Sequence, residues 1–301
     1  MKNVNDDTIL ITPSNIYSQS GEDGIIQQFL SLISDSHSLS KWCVEFGAWD
    51  GKFLSNTFNL IENFSYKGIY IEGSKKRFLD LKKNMEIFEV ICLNKYIGLD
   101  AHNSLDYILS NTPIPTDFDI LSIDIDGCDF HILESIKKYR PKIIIVEYNP
   151  TIPNDVYFVQ QADFSVNHGA SALAIQKLAK SKDYTVVAMT ETNLILLENK
   201  YIKHEWNIIS DLSTLMPAKN EKIAIFFGYD GTVLCSANNI YFPWLGLSFS
   251  PKDLQIIPKH LRKYNKSFLQ KILFGIYIIV IKPRSLNSIH FKKVLIWLFS
   301  K

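Results

Sequence analysis

Two apolar runs, each followed by an acidic residue and glycine, constrain most strongly what this chain can fold into. The first run ends in Glu45 and is followed by Gly47 and Gly51. The second run ends in Glu72-Gly73. This pattern predicts two neighbouring parallel strands with a sharp turn after the first. In an open parallel sheet, ligands bind beyond the carboxyl ends of the strands. A glycine turn lets the backbone approach a ligand there, and an acid after the second strand can accept both hydroxyls of a ribose.

The glycine spacing distinguishes between adenosine-containing cofactors. It departs from the Gly-x-Gly-x-x-Gly pattern of dinucleotide-binding proteins, so the sequence favours S-adenosylmethionine (SAM) over a dinucleotide. Asp100 is expected at the exit of the third strand, near the adenine, and the first helix is expected to cover the cofactor. The residues predicted to bind SAM are Glu45, Gly47, Asp50, Gly51, Glu72, Gly73, Asp100, Gln19 and Glu22.

Short apolar runs alternate with helical patterns, which predicts an α/β fold. The expected architecture is a Rossmann-like, doubly wound, seven-stranded and mostly parallel sheet. Ser20 and Asp23 are predicted to form a capping box at the start of the first helix. The predicted strands are 42–46, 69–72, 88–93, 118–126, 142–149, 184–189 and 193–198, with two short strands within 222–235. The predicted helices are 21–34, 53–63, 75–86, 102–110, 127–139 and 170–181.

Charge and composition divide the chain into two predicted domains. Residues 1–250 form the sheet domain, with a cap helix at about 20–34 and a lid loop at about 150–168, because long ordered loops are often lids. Residues 251–301 form a basic, apolar tail, in which eleven Lys/Arg face a single acid, Asp253. The rest of the chain carries 21 basic and 30 acidic residues.

The tail combines its basic residues with the apolar runs 272–281 and 294–299. The longer run is shorter than the roughly twenty residues of a membrane-spanning helix. Basic residues beside apolar segments with Trp and Tyr suit a helix lying on an anionic membrane surface. The alternative is that these segments pack on the body of the protein or against a second copy of the chain. Nucleic acid is not expected, because long aliphatic runs interrupt the basic residues.

Cysteine usage and the N-terminus indicate the compartment. Cys43, Cys92, Cys128 and Cys235 lie within or beside apolar runs, without a Cys-x-x-Cys pair. Buried, reduced thiols of this kind indicate a reducing compartment. Residues 1–7 lack the apolar core of a signal peptide. We therefore expect a cytoplasmic protein, peripheral to the inner face of a membrane if the tail binds lipid.

A second group of polar residues follows the fourth and fifth predicted strands. Asp124 and Asp126 leave the fourth strand, and Glu147 and Asn149 leave the fifth. Side chains two apart on a strand share a face, and neighbouring strand tips meet at one edge of a sheet. Carboxylates crowded into one cleft repel each other unless one is protonated or a cation neutralises them. The sequence therefore predicts Mg²⁺ or another divalent cation bound by these four residues.

Helix capping and calcium binding are the alternative roles for the acids that follow the fourth strand. Asp126 and Asp129 suit the start of the helix that opens at Gly127, and capping there would account for one of the three acids. An EF-hand loop would need Gly at its sixth position and Glu at its twelfth, where this chain has Asp129 and Ser135. The EF-hand interpretation is therefore rejected.

His168, at the end of the predicted lid loop, is the predicted general base, because it could swing over the hydroxyl of a bound substrate. Asp124 and Glu147 are the carboxylates predicted to act with it or in its place. His131 lies within a predicted helix, where a packing or capping role is favoured.

Four segments of the chain together resemble FkbM-like SAM-dependent methyltransferases. They are 17–24 (YSQSGEDG), 44–51 (VEFGAWDG), 121–127 (LSIDIDG) and 147–150 (EYNP). The likeness covers about residues 15–235 and leaves out the tail. It implies a Rossmann-like seven-stranded fold, SAM as methyl donor, and an oxygen acceptor on a sugar, a polyketide or a surface glycan.

The resemblance also implies roles for individual residues. Glu45, Gly47 and Gly51 would surround the methionine part of SAM, and Glu72 would bind the ribose. The acids of the fourth and fifth strands are similar to the metal ligands of catechol-type O-methyltransferases. The fifth strand here ends in Glu-x-Asn rather than Asp-Asn, which departs from that pattern.

The sequence therefore predicts a SAM-dependent O-methyltransferase acting on a hydroxyl of a sugar or glycan intermediate, lipid-linked if the tail binds a membrane. Two alternatives stay open at this point. One is a non-catalytic, membrane-associated scaffold of the same fold, which would have no need of the turn glycines. The other is a metal-dependent hydrolase or phosphotransferase that uses Asp124, Asp126 and Asp129.

Overall fold

The computed structural model describes residues 11–216, 223–242, 245–262 and 267–281. The chain forms two compact units, Met1–Asn220 and Glu221–Lys301, each described by itself. The boundary predicted after residue 250 falls inside the second unit, and the functional extent of each domain stays a prediction. The N-terminal residues 1–7 and the apolar run 294–299 lie outside the described residues.

The first unit is built on a seven-stranded sheet with the order β3-β2-β1-β4-β5-β7-β6. Strands β1 to β5 pair in parallel, and β7 lies antiparallel between β5 and β6. This confirms the predicted Rossmann-like, mostly parallel α/β sheet. The order reverses between β1 and β4, so a ligand is expected beyond the ends of those two strands. The strands are β1 (Trp42–Phe46), β2 (Lys67–Ile71), β3 (Val90–Leu93), β4 (Ile120–Ile123), β5 (Ile143–Glu147), β6 (Tyr184–Met189) and β7 (Asn193–Glu198).

Helices cover both faces of this sheet. One apolar core holds α4 to α7 against residues such as Val44 and Phe46, and the other holds α1 to α3 against residues such as Cys43. Because successive strand residues point to opposite faces, Glu45 shares the face of Cys43. The helices are α1 (Glu22–Ser34), α2 (Phe58–Phe64), α3 (Lys75–Asn84), α4 (Leu105–Ser110), α5 (Asp129–Ser135), α6 (Ala172–Ser181) and α7 (Leu212–Leu215).

The two central strands are shorter than predicted. The sequence indicated a strand as far as Asp126, but β4 ends at Ile123 and the backbone of Asp126 has φ 58°. The N–H groups of Ile125 and Gly127 donate to the Asp129 carboxylate instead of to a neighbouring strand. The strand therefore ends where a side-chain carboxylate, and not a neighbouring strand, accepts the backbone hydrogen bonds.

The start of α1 corrects the predicted capping box. The residue that precedes the helix is Gly21, with φ 100°, and the first-turn N–H of Asp23 donates to the Ser18 hydroxyl rather than to Ser20. Asp23 instead accepts hydrogen bonds from the backbone N–H groups of Ile16, Tyr17 and Ser18. The acid in the first turn therefore orders the segment before the helix.

The second unit contains two antiparallel hairpins and a helix. Strands β8 (Ile225–Phe227) and β9 (Val233–Cys235) confirm the two short strands predicted around the glycine turn. Strands β10 (Ile240–Phe242) and β11 (Leu247–Phe249) form the other hairpin, and α8 (Phe268–Ile276) follows. In the part of the chain that the structure describes, none of the helices has both the length and the apolar character to cross a bilayer.

Candidate active site

A cavity of about 630 Å³ opens at the carboxyl ends of the central strands of the first unit. Its wall includes Gly47 after β1, Glu72 after β2, Asp124 and Asp126 after β4, and Glu147 at the end of β5. This is the edge where the strand order reverses, and the volume is typical of small-molecule sites. The structure therefore brings strand tips that are remote in sequence to one cavity.

The turn after β1 presses its backbone against the end of β4. Gly47 has φ 71°, and a Cβ atom there would lie 1.7 Å from the carbonyl oxygen of Asp124. No residue with a side chain fits this position without moving one of the two strands. Trp49, two residues on, has φ 48° although it is not glycine. The turn predicted from the sequence thus presents its backbone to the cavity.

The rest of the predicted glycine motif packs elsewhere. A Cβ atom at Gly51 would lie 2.6 Å from a methyl carbon of Leu81 in α3. The carboxylate of Asp50 accepts hydrogen bonds from the N–H groups of Lys52 and Phe53. Asp50 and Gly51 do not line the cavity. These two predicted cofactor residues shape the turn from behind.

Glu72 links the turn after β1 to the turn after β2. One carboxylate oxygen accepts a hydrogen bond from the Trp49 N–H at 3.0 Å, and the other accepts one from the Ser74 N–H at 2.6 Å. The side chain is buried yet lines the cavity. A Cβ atom at Gly73 would lie 2.4 Å from the Tyr96 ring, so that ring lies directly over the glycine. The structure places the predicted ribose acid against the glycine turn.

Glu45 lines the same cavity, but its carboxylate is hydrogen-bonded to the segment that precedes α2. Its Oε2 accepts hydrogen bonds from the Ser55 hydroxyl (2.8 Å), the Thr57 N–H (3.1 Å) and the Thr57 hydroxyl (2.5 Å). Burial raises the pKa of Glu45, although these hydrogen bonds oppose the rise. Asn56, between the two donor residues, also lines the cavity and donates to the Ser122 hydroxyl. Glu45 therefore orders the segment that enters α2.

Three aromatic and cationic residues at the cavity were not predicted from the sequence. The Arg77 guanidinium lies 3.4 Å from the centre of the Trp49 ring, which is the geometry of a cation–π contact. Tyr96 lies beside them over Gly73, and all three residues line the cavity. The signal available was an aromatic residue inside the glycine motif itself. The contact with α3 is not local in sequence, so no periodicity reveals it.

Asp124, Asp126 and Glu147 form an acidic group in this cavity. Each offers a carboxylate oxygen, and these oxygens all lie within 4.8 Å of one another. Asp124 and Asp126 are exposed where they line the cavity, and Glu147 is half-buried. Loss of solvation, and then the neighbouring acids, raise the pKa of Asp124 to about 7 and that of Glu147 to about 9. The arrangement can accept protons from a ligand or hold a cation.

Asp129 does not belong to this group. Its two carboxylate oxygens accept hydrogen bonds from the N–H groups of Ile125 and Gly127, both at 2.9 Å. Burial raises the pKa of Asp129 to about 6, against the effect of these backbone hydrogen bonds. This is the one acid that the alternative of local capping explains, although it caps the loop rather than the helix.

Asn149 corrects the predicted set of metal ligands. Its side-chain oxygen accepts hydrogen bonds from the N–H (2.9 Å) and the hydroxyl (2.6 Å) of Thr151. Its amide nitrogen donates to the carbonyl oxygen of His168 at 2.8 Å. The strand ends at Glu147, so the expected alternation does not carry Asn149 to the acidic group. It closes the base of the predicted lid loop instead.

A buried glutamine organises the predicted lid loop. The Gln160 side-chain oxygen accepts hydrogen bonds from the N–H groups of His168 (2.8 Å) and Gly169 (2.7 Å). Its amide nitrogen donates to the carbonyl oxygen of Val166 at 2.7 Å. Phe164, within the same loop, lines the cavity. The loop therefore has an internal polar core that holds an aromatic side chain at the site.

His168 itself is exposed, and it is not one of the cavity-lining residues. The described hydrogen bonds of this residue are made by its backbone. Among the described residues that line the cavity there is no histidine, so the structure does not bring the predicted base to the acids. Of the predicted proton acceptors, it brings Asp124 and Glu147 there.

The remaining predicted cofactor residues divide. Gln19 lines the cavity. Glu22 is fully buried, and one of its oxygens accepts hydrogen bonds from the Thr190 hydroxyl (2.6 Å) and the Asn193 amide (3.0 Å). Asp100 is exposed and lies outside the cavity. Glu22 therefore attaches α1 to the turn between β6 and β7, and only Gln19 of these three is at the site.

Comparison with known proteins gives one family match, to the methyltransferase FkbM domain over residues 94–184. No curated protein matches the chain. Similar solved structures include the CMeT domain of the citrinin polyketide synthase (13% identity, 61% of this chain, 54% of that chain, TM-score 0.37). They also include TrmK of M. capricolum with S-adenosyl-homocysteine (13%, 59%, 70%, 0.35) and a SAM-dependent methyltransferase from Aquifex aeolicus (11%, 59%, 88%, 0.36). The chain thus spans about half the length of the first of these. The family match confirms the predicted resemblance over residues 94–184, which contain the segments 121–127 and 147–150.

Proposed function

We propose that this chain is a SAM-dependent methyltransferase of the FkbM type and that it transfers the methyl group to a hydroxyl oxygen of a sugar or glycan acceptor. The observation that supports this is the single cavity in which the turn at Gly47 and Glu72 meets the acids Asp124, Asp126 and Glu147. A hydroxyl attacks a methyl group only as it loses its proton. Carboxylates that accept hydrogen bonds from several hydroxyls suit a polyhydroxylated acceptor.

The cofactor would lie on the β1–β2 side of the cavity. When bound, SAM supplies an electrophilic methyl group. The backbone at Gly47 admits the cofactor closely, and Glu72 and Gly73 lie where a ribose would meet them. The contribution of these residues is to hold and orient the two reactants, which lowers the barrier of a bimolecular transfer.

On the β4–β5 side, Asp124 is the proposed general base. Because burial raises the pKa of Asp124 to about 7, its carboxylate is a stronger base than an ordinary aspartate and is still about half ionised at neutral pH. Its neighbours Asp126 and Glu147 would accept hydrogen bonds from other hydroxyls of the acceptor. Phe164 would cover the acceptor from the loop side.

As the alternative to proton transfer by Asp124, the same three acids are proposed to bind a divalent cation such as Mg²⁺, which would lower the pKa of the acceptor hydroxyl. Carboxylate oxygens within 4.8 Å of one another fit the oxygen ligands that hard cations prefer. A cation would also relieve the repulsion that raises the pKa values of Asp124 and Glu147. Calorimetric titration with MgCl₂ tests this, and Asp126→Asn is expected to weaken binding at least about tenfold. The matched control Asp80→Asn changes an acid of α3 outside the cavity.

A lipid-linked glycan intermediate is the proposed form of the acceptor. That substrate would place a cytoplasmic protein at the inner face of a membrane. The support is the basic, apolar character of the tail, in which eleven Lys/Arg face one acid.

The function is tested with SAM labelled in its methyl group and a panel of aryl glycosides and polyprenyl-diphosphate sugars. Label that enters the sugar and survives alkaline hydrolysis is an ether, as expected; label released as methanol marks a carboxyl ester and contradicts the proposal. Absence of SAM binding at millimolar concentration would favour the scaffold. Phosphate release without SAM would favour the hydrolase, whose third acid, Asp129, is bound to the backbone.

A further inference from the structure

The second unit exposes apolar side chains along both of its hairpins. On the first hairpin, the turn residue Tyr229 has 99% of its surface exposed. On the second, Phe242 and Phe249 lie on the two paired strands, and their ring centres are 5.2 Å apart. The exposed apolar residues of the hairpins are Ile225, Phe226, Phe227, Tyr229, Leu234, Tyr241, Phe242, Leu245, Leu247 and Phe249.

Helix α8 continues this character. Phe268, Ile272 and Ile276 are exposed at intervals of four residues, and Leu269 and Leu273 are exposed beside them. Residues at this spacing lie on one side of a helix. A helix that faces only water has polar residues on its outer side. The helix therefore presents an apolar stripe outward.

The same unit carries the net positive charge of the chain. Residues 221–301 contain twelve Lys/Arg and three Asp/Glu, a net charge of nine positive. Residues 1–220 contain twenty Lys/Arg and twenty-eight Asp/Glu, a net charge of eight negative. The apolar surface thus lies in the basic part of a chain that is almost neutral as a whole.

We propose that the second unit docks on an anionic lipid bilayer, with the hairpins of residues 225–249 as part of the docking surface. Aromatic and aliphatic side chains enter the headgroup region, and lysines attract the negative lipids. The sequence indicated the tail alone, so the hairpins extend the surface by two elements. A nucleic acid would not account for so much exposed aliphatic surface. The inference rests on the proposed function only for the lipid-linked acceptor.

The test is sedimentation of the full chain with vesicles, without SAM or an acceptor. Vesicles of equal parts phosphatidylglycerol and phosphatidylcholine are compared with phosphatidylcholine alone. We expect partitioning at least about tenfold stronger on the anionic vesicles, and loss of that preference at about 1 M salt, where charges are screened beyond about 3 Å. Equal binding to both vesicles, or binding to neither, would overturn the proposal.

Matched variants locate the surface. Phe226→Ser with Phe227→Ser is expected to weaken partitioning at least about tenfold. Leu79→Ser with Ile87→Ser, which changes two exposed apolar residues of the first unit, is expected to leave it unchanged. If both pairs lower binding equally, the hairpins are not the docking surface.

Charge reversal separates the membrane from a second copy of the chain. Lys252→Glu with Lys259→Glu should weaken binding to anionic vesicles, whereas Lys75→Glu with Lys76→Glu on α3 should not. Light scattering without lipid reports self-association, and a dimer that the hairpin variant dissolves would overturn the proposal in favour of a second copy. SAM titration of each variant verifies the first unit, so a failure of the proposed enzyme function is recognised separately.

Discussion

The carboxylates on the two sides of the cavity differ in what surrounds them. On the β1–β2 side, Glu45 and Glu72 accept hydrogen bonds from hydroxyl and backbone N–H groups of neighbouring turns. On the β4–β5 side, Asp124, Asp126 and Glu147 face one another within 4.8 Å. Hydrogen bonds from the protein stabilise the first pair of carboxylates, whereas the acids of the second group repel one another. Acids of the first kind hold the turns of the site in place, and acids of the second kind are available to a ligand.

The largest expected effect is a break in the contact between the two sides. Gly47→Ala adds a Cβ atom 1.7 Å from the Asp124 carbonyl at φ 71°, so β1 and β4 must separate. We expect a loss of more than about 3 kcal/mol in the free energy of unfolding, measured with urea, and no SAM binding. Gly169→Ala is the matched control, because it has φ 64° but its nearest neighbour would be 3.6 Å away. Equal losses in the two variants would show that backbone strain alone, not the contact, matters.

On the β1–β2 side, replacing a carboxylate by an amide should destabilise the protein. Glu72→Gln keeps the shape, but it leaves one acceptor where the Trp49 and Ser74 N–H groups need two. The unpaired buried N–H should cost about 1–3 kcal/mol in the free energy of unfolding. SAM affinity, measured by calorimetry, should fall as well. Glu62→Gln on α2, outside the cavity, is the control. A Glu72→Gln variant as stable as the wild type would contradict the distinction between the two sides.

The same substitution on the repelling side should have the opposite sign. The pKa of Glu147 is about 9 in the native state and near 4.5 in the unfolded chain. The native state therefore holds a proton that the unfolded chain has lost, and stability falls as pH rises from about 4.5 through 9. Glu147→Gln removes this loss, so its melting temperature should exceed that of the wild type by about 3 °C or more at pH 8.

The advantage of Glu147→Gln should vanish near pH 4, where both chains are neutral at this position. Thermal melts across this pH range measure it, with Glu134→Gln on α5 as a solvent-exposed control. A variant less stable than the wild type at pH 8 would show that Glu147 is balanced by partners of its own.

The sheet was predictable because its signals are local. Strands β1, β6 and β7 have the predicted bounds, since short, mostly apolar runs with turn residues at each end specify a buried strand. The strand tips were also predictable, because parallel order places them at one edge. Glu72, Asp124 and Glu147 therefore reached the cavity from sequence reasoning alone.

What each tip residue does could not be read in the same way. Asp126 reaches the acidic group through a positive φ after the strand has ended, not through strand alternation. Asn149 was a predicted metal ligand and Asp129 an acid of the hydrolase alternative, but their acceptors are used by neighbouring N–H and hydroxyl groups. These outcomes depend on backbone angles in loops, where no periodicity applies. The same holds for the stacking of Arg77 on Trp49.

The smallest expected effect concerns the loop that holds Phe164 over the repelling side. His168→Ala removes an exposed ring outside the cavity and keeps the backbone groups that Gln160 and Asn149 bind. Methyl transfer should therefore stay within about threefold of the wild type, because a general base contributes at least about a hundredfold. Asp124→Asn, measured in the same assay, should lose that larger factor, since its carboxylate lies among the acids of the cavity. A hundredfold loss in His168→Ala alone would identify His168, and not a carboxylate, as the general base. The acids of the cavity would then serve only to bind a ligand.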